Sequence, residues 1–178
     1  MLKPTIIVTG ASRGLGAAIS AIAASRGACV VLTARSEYEL EKQAQKIVQL
    51  GGNVLPIVAD ISCFEDCQRI IEKTLQVYGR IDALINNAGT IEPLAPISES
   101  RHEDWAYHMG VNLLGPMTMC KLAIPYLKQT QGKVVNITSH AAEISIPGAS
   151  AYSTSKAALN RFSKSLAVEE PNITVILI

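Results

Sequence analysis

Short runs of β-branched and aliphatic residues recur along the chain, and between them lie longer segments with apolar positions every three to four residues. Thr5 to Val8 is the first run, bounded by Pro4 and Gly10, and it reads as a short buried strand. Ala17 to Arg26 then reads as a helix that Gly27 stops, and Ala28 to Ala34 as a second strand. Ser36-Glu37-Tyr38-Glu39 has the form of a capping box opening a helix that runs to Leu50, ahead of Gly51-Gly52. Val54 to Ala59 is a third strand, ending at Asp60. A second capping box, Ser62 to Glu65, starts a helix that ends near Gly79, and Ile81 to Ile85 is the fourth strand. Thr90 to Ser100 carries Pro93 and Pro96 and reads as a loop. A third capping box, Ser100 to Glu103, precedes a short helix through His108, in which Trp105 reads as a packing anchor. A long helix follows over Val111 to Gln129, with kinks expected at Gly115-Pro116 and Pro125. Lys133 to Thr138 is the fifth strand, Ala141 to Ser150 a loop of small residues, and the next helix reaches Glu170 before Pro171. Ile173 to Ile178 begins a sixth strand.

Strands alternating with helices predict an α/β fold with one doubly wound parallel sheet between two helical layers. In such sheets ligands bind beyond the carboxyl ends of the strands. The residues with chemistry gather there: the glycine loop after the first strand, Arg35 after the second, Asp60 after the third, Asn86 to Gly89 after the fourth and Ser139 after the fifth. No internal repeat, low-complexity tract or linker interrupts the pattern, which predicts one nucleotide-binding domain over residues 1–178.

Composition narrows the classes. Nearly half of the 178 residues are apolar, 17% are charged, and the formal net charge is +1, with no basic run; nucleic acid is an unexpected partner. No apolar run is long enough to span a membrane, and Met1-Leu2-Lys3-Pro4 leaves no room for a leader before the first strand. Cys29, Cys63, Cys67 and Cys120 form no Cys-x-x-Cys pair, and His102, His108 and His140 have no ligand spacing. No metal site is predicted, and reduced thiols fit a cytoplasmic protein.

The loop Thr9-Gly10-Ala11-Ser12-Arg13-Gly14-Leu15-Gly16 joins a strand to a helix. Its free N–H groups and the helix dipole make an anion site suited to a pyrophosphate. Gly10 permits the turn, Gly14 lets the backbone approach the phosphates, and Gly16 lets the helix pack on the strand. Arg35 lies 19 residues beyond Gly16, where dinucleotide folds place either an acid for the ribose hydroxyls or an arginine for a 2′-phosphate. Arg35 and Arg13 together favour NADP(H). Glu37 nearby keeps NAD(H) open.

Tyr152 and Lys156 are four residues apart, on one face of a helix about one turn from each other. A phenol ionises near pH ~10, and a fixed ammonium beside it favours the phenolate, so the pair can act as acid and base near neutrality. Ser139, thirteen residues before Tyr152, offers a hydroxyl that could polarise a carbonyl oxygen. The structural alternative is a packed tyrosine with a solvated lysine.

Taken in order, T-G-A-S-R-G-L-G at 9–16, Asp60, N-N-A-G at 86–89, V-N-L-L-G at 111–115, Ser139 and Y-S-T-S-K at 152–156 resemble the short-chain dehydrogenase/reductase family. The resemblance covers essentially the whole chain. It implies a Rossmann-type sheet, NAD(P) as hydride carrier and interconversion of a small carbonyl compound and its alcohol. It implies Tyr152 as general acid/base, Ser139 as partner of the carbonyl oxygen, Lys156 on the nicotinamide ribose, and Asn112 holding a water that relays protons through Lys156. Cofactor contacts are implied at Gly10, Ser12, Arg13, Gly14, Leu15, Gly16, Arg35, Asp60, Ile61, Asn86, Ala88, Gly89, Tyr152 and Lys156. S-K-A-A-L-N-R-F at 155–162 with E-E-P at 169–171 is similar to fungal reductases related to sepiapterin reductase and benzil reductase. The family also implies a homo-oligomer through the two long C-terminal helices. The family's Pro-Gly turn after the sixth strand, its substrate-covering segment and its seventh strand have no counterpart here, which implies a chain truncated after the sixth strand. The alternative function is therefore a non-catalytic NADP-binding or interaction module.

Overall fold

Strand β1 (Thr5–Thr9) is central because both of its faces are apolar. Ile7 turns to one side and Ile6 and Val8 to the other, and two hydrophobic clusters form on opposite faces of the sheet. The computed structural model describes residues 3–178; Met1 and Leu2, where the leader expectation falls, lie outside the described residues. Six strands, β1, β2 (Cys29–Ala34), β3 (Asn53–Val58), β4 (Ala83–Asn86), β5 (Lys133–Asn136) and β6 (Thr174–Leu177), make one parallel sheet in the order β3-β2-β1-β4-β5-β6. This is the expected doubly wound, Rossmann-like arrangement. The order reverses between β1 and β4, where Val8 pairs with Ile85. That reversal opens a crevice at the carboxyl ends of the strands.

Helices α1 (Gly14–Ser25) and α2 (Glu37–Gln49) cover one face, through Ala24, Leu40, Ala44 and Ile47 against Val8, Val30 and Leu32. Helices α3 (Phe64–Tyr78), α5 (Gly115–Thr130) and α6 (Ser150–Glu169) cover the other, through Ile70, Met119, Leu127 and Leu166 against Ile7, Val31 and Leu84. Among the described residues no helix is long and apolar enough to cross a membrane.

Several local expectations are corrected. The expected break between a short helix and a long one is absent: α4 (His102–Met109) passes through a π-helical segment, Gly110–Leu114, directly into α5. Pro116 sits where the π-helical segment passes into α5, and Pro125 lies within the helix. None of the three capping boxes forms. Ser36 is the N-cap of α2 but makes no side-chain cap. Cys63 caps α3, and the Ser62 hydroxyl donates instead to Asp60 Oδ1 at 2.7 Å. Arg101 caps α4, while Ser100 Oγ accepts from the Trp105 indole N–H at 2.9 Å. In the last two cases a nearer tertiary or turn partner outcompetes the helix end for the serine.

Candidate active site

Helix α1 begins at Gly14, three residues earlier than its apolar pattern suggests, because the glycine loop itself supplies the first turn. Gly10 and Gly14 adopt positive φ, 66° and 57°. A Cβ on Gly14 would meet nothing within 4 Å, so the backbone there faces open space. Gly16 is the opposite case. A Cβ there would stand 2.3 Å from the Gly10 carbonyl oxygen and 2.4 Å from Asn87 Nδ2, so helix and loop approach to a distance only glycine allows.

The loop after β4 is stapled to the glycine loop. The buried Thr9 hydroxyl accepts from the backbone N–H groups of Asn87 and Ala88, each at 3.0 Å. Asn87 Nδ2 donates to the carbonyls of Thr9 at 2.8 Å and Gly10 at 3.1 Å. Between them opens a cleft of about 720 Å³. Of the expected cofactor residues, Gly10, Ser12, Arg13, Gly14, Arg35, Asp60, Ile61, Ala88 and Gly89 line it. Thr33, Ser36, Glu39, Asn87, Thr90 and Val111 line it too, and the sequence reading passed over them as contacts.

Five expected residues do not line this cleft: Leu15, Gly16, Asn86, Tyr152 and Lys156. Leu15 is exposed on α1, and Gly16 packs against the Gly10 carbonyl. Asn86 is buried in β4, where its Nδ2 donates to Asn136 Oδ1 at 2.8 Å and approaches Cys120 Sγ at 3.4 Å. Asn136 in turn donates to Ser163 Oγ at 2.7 Å, so Asn86 belongs to a polar chain inside the core. Its alternation along β4 turns it inward, and the next residue, Asn87, faces the loop instead.

At one end of the cleft Arg35 leaves β2. Its guanidinium hydrogen-bonds the Tyr107 hydroxyl and lies 4.0 Å from Asp60 Oδ2. Asp60 Oδ1 is held by the backbone N–H of Ser62 at 2.9 Å. Glu37, the acid that left NAD(H) open, is not among the residues lining the cleft; the nearby carboxylates that do are Glu39 and Asp60.

At the other end lies α6. A Cβ on Gly89 would stand 3.4 Å from Asn112 Oδ1 and 3.8 Å from Lys156 Nζ, so the cleft wall abuts both residues. Lys156 is buried, with Nζ donating to the Ile137 carbonyl at 2.8 Å and 5.7 Å from the centre of the Tyr152 ring. Burial pushes its ammonium down from the usual 10.5 to about 8. The solvated-lysine alternative is thereby excluded. Ser139 opens a short 3₁₀ turn, His140–Ala142, and its Oγ accepts from the Ala141 N–H at 3.2 Å, which leaves its own hydrogen available.

Asn112 lies in the π-helical segment and is fully buried. Its Oδ1 accepts from the Thr90 N–H at 2.8 Å, and its Nδ2 donates to the Thr90 carbonyl at 2.8 Å. The other amide hydrogen faces His108 Nε2 at 2.9 Å, with Ser155 Oγ at 3.2 Å. Both amide hydrogens are therefore engaged by the protein. The Asn112 side chain thus braces the Thr90 loop, the π-helical segment and α6. His108 and Ser155 went unrecognised in the sequence as parts of this group. The histidine–asparagine spacing, four residues on one helical face, was the signal that could have found them.

The family model described as short chain dehydrogenase matches residues 4–178, and the chain belongs to that family of oxidoreductases. It is 38% identical over 178 residues to 11-beta-hydroxysteroid dehydrogenase-like 3 of Arabidopsis thaliana, covering 99% of this chain and 58% of that protein. The chain thus spans little more than half the length of the curated relatives it matches, 50% for the corresponding enzyme A of Sesamum indicum. Among solved structures it is similar to a metagenomic short-chain oxidoreductase in complex with NADP, at 33% identity and TM-score 0.94, covering 98% of this chain and 80% of that one. An NAD+-bound xylitol dehydrogenase matches at 25% identity and TM-score 0.91, covering 98% of this chain and 68% of that one.

Proposed function

We propose that the chain is the catalytic core of an NADP(H)-dependent carbonyl reductase. One observation carries the reading: the buried Lys156 ammonium and the Tyr152 ring sit on one face of α6, and Lys156 meets the Gly89 wall of the cleft. The cleft suits a dinucleotide, since Gly14 presents open backbone at the start of α1 and a pyrophosphate is the anion that such a terminus favours. Arg13, Arg35 and Ser36 at the adenosine end support a 2′-phosphate and so NADP(H) over NAD(H).

A bound nicotinamide supplies or takes the hydride. Tyr152 gives its phenolic proton to the carbonyl oxygen as the alcohol forms, and takes it back in the reverse direction. The Ser139 hydroxyl donates to the same oxygen and orients it. The Lys156 ammonium stabilises the charge left on Tyr152 and would hold the ribose of a bound nicotinamide cofactor, while Asn112 braces the wall that carries Gly89 and Thr90.

An apolar ketone or aldehyde fits best, supported by the exposed Leu94, Ile144 and Ile146 on two loops tied by the Ala95 N–H to the Gly148 carbonyl at 2.9 Å. The name of the Arabidopsis relative points the same way. The similarity to fungal reductases related to sepiapterin reductase and benzil reductase rests on residues 155–162 and 169–171. A homo-oligomer through α5 and α6 follows from the family resemblance.

Two measurements test the proposal. NADPH should raise the melting temperature more than NADH at equal concentration. Tyr152→Phe should lower kcat by at least about 100-fold while leaving the NADPH affinity within about threefold. Full activity in that variant would overturn the assignment, and binding without turnover in the wild type would return the chain to the non-catalytic reading.

A further inference from the structure

The mechanism above leaves the buried imidazole of His108 unused. His108, at the end of α4, is fully buried, and its ring meets the Tyr152 ring edge to face, with centroids 6.2 Å apart and planes at 87°. Its Nδ1 lies 2.5 Å from the Glu92 carbonyl oxygen. A carbonyl only accepts, so Nδ1 carries a hydrogen. Its Nε2 lies 2.9 Å from Asn112 Nδ2 and 3.0 Å from Ser155 Oγ.

The orientation of the Asn112 amide is fixed independently, because Thr90 presents a donor and an acceptor to it, both at 2.8 Å. Nδ2 is therefore the nitrogen facing His108, and Nε2 must offer a lone pair. The Ser155 hydroxyl hydrogen then has two acceptors within reach, Nε2 and the Tyr152 carbonyl at 2.8 Å. A charged imidazolium would set N–H against N–H at Asn112. Burial, and secondarily the Lys156 ammonium, also hold the imidazole below its ordinary range, against the opposing pull of the Glu92 carbonyl.

We propose that His108, locked as the neutral Nδ1–H tautomer, is a positioning residue that joins the Thr90–Glu92 loop, whose Thr90 lines the cleft, to α6 beside Tyr152 and so sets Tyr152 against the substrate carbonyl. The proposal rests on the reductase reading for its kinetic consequence, but the hydrogen-bond clamp stands apart from it. Three backbone segments meet at this one ring: the loop after β4 through Glu92, the π-helical segment through Asn112, and α6 through Ser155 and Tyr152. His108 itself does not line the cleft, so cofactor affinity should change far less than turnover when the ring is replaced.

The test has two arms. In the full chain with ¹⁵N-labelled histidine, NMR at pH 7 should show one imidazole as the Nδ1–H neutral tautomer, a signal that is lost in His108→Leu. An Nε2–H tautomer or an imidazolium at that site would overturn the clamp whether or not the protein turns over any carbonyl compound. In the kinetic arm, His108→Leu should lower kcat roughly 10- to 100-fold, the scale expected of a displaced catalytic group, with NADPH affinity within about threefold. His108→Gln, which can return an acceptor to Asn112, should recover most of the loss. Equal kcat values for the Leu and Gln variants, or a loss of kcat matched by loss of NADPH binding, would contradict a positioning role. A wild type that shows the tautomer but no turnover would sink the reductase reading and leave the clamp supported.

Discussion

Replacing Lys156 by Met should make the cofactor-free protein more stable at neutral pH while destroying its activity. Lys156 is 5% exposed and has one protein hydrogen-bond partner, the Ile137 carbonyl at 2.8 Å. The ion pairs among the described residues are made by other side chains. Burial without a counter-charge takes its ammonium from 10.5 to about 8. At 1.36 kcal/mol per pH unit, that difference opposes folding by about 3 kcal/mol wherever Lys156 is protonated in both states. Met occupies a similar volume with no charge to desolvate, and leaving the Ile137 carbonyl without its donor takes back about 1 kcal/mol. The variant should therefore gain about 2 kcal/mol at pH 7. The sign also fixes the pH dependence. Between about pH 8 and 10.5 the folded wild type has lost the proton that the unfolded chain still binds, so wild-type stability rises with pH relative to the variant. Urea denaturation of both proteins without cofactor, from pH 7 to 10, measures this directly. The gap should be largest at pH 7 and close by about pH 10. A variant that is less stable at pH 7, or a gap that does not change with pH, would refute the claim that Lys156 is held charged at a cost to folding.

Other changes probe the frame around the site. Gly16→Ala forces a methyl to within 2.3 Å of the Gly10 carbonyl, so it should cost about 2 kcal/mol or more in urea denaturation and weaken NADPH binding at least tenfold. Gly14→Ala meets open space but strains a positive φ, so its stability cost should stay near about 1 kcal/mol. Asn136→Ala removes the acceptor of the buried Asn86 amide, while the Ser163 hydroxyl keeps its bond to the Leu159 carbonyl, and should cost about 2 kcal/mol by the same measurement, with NADPH affinity unchanged. Arg35→Ala should weaken NADPH more than NADH in a melting-temperature titration, narrowing the preference.

The parts of this molecule legible in the sequence are those set by local pattern. β1, its glycine loop and α1 were readable because a buried strand, positive-φ glycines and a helix start leave a signature within twenty residues. The gathering of Arg35, Asp60 and Gly89 on one cleft followed from topology, since every strand of a parallel sheet ends on the same rim. What escaped was decided by partners distant in sequence. His108 meets Glu92 sixteen residues earlier and Ser155 forty-seven later, and read by itself it offered only a rejected metal ligand. The side chain of Asn86 turns into the core and that of Asn87 onto the glycine loop, because strand alternation decides which of two neighbouring asparagines faces the loop. Two of the capping boxes failed for a local reason: Asp60 and Trp105, two and five residues away, engage Ser62 and Ser100 in place of the helix ends.

In the proposed reaction Tyr152 delivers the proton while hydride passes to a carbonyl carbon beside the cleft. Transfer of deuterium tests it most directly: NADPH deuterated at the transferable position is incubated with an apolar ketone and the chain, and the alcohol is recovered and analysed. Label should appear on the carbinol carbon with the wild type and essentially none with Tyr152→Phe under conditions where both bind NADPH. Label appearing at the wild-type rate with Tyr152→Phe, or no label from a wild type saturated with NADPH across a panel of ketones and aldehydes, would contradict it.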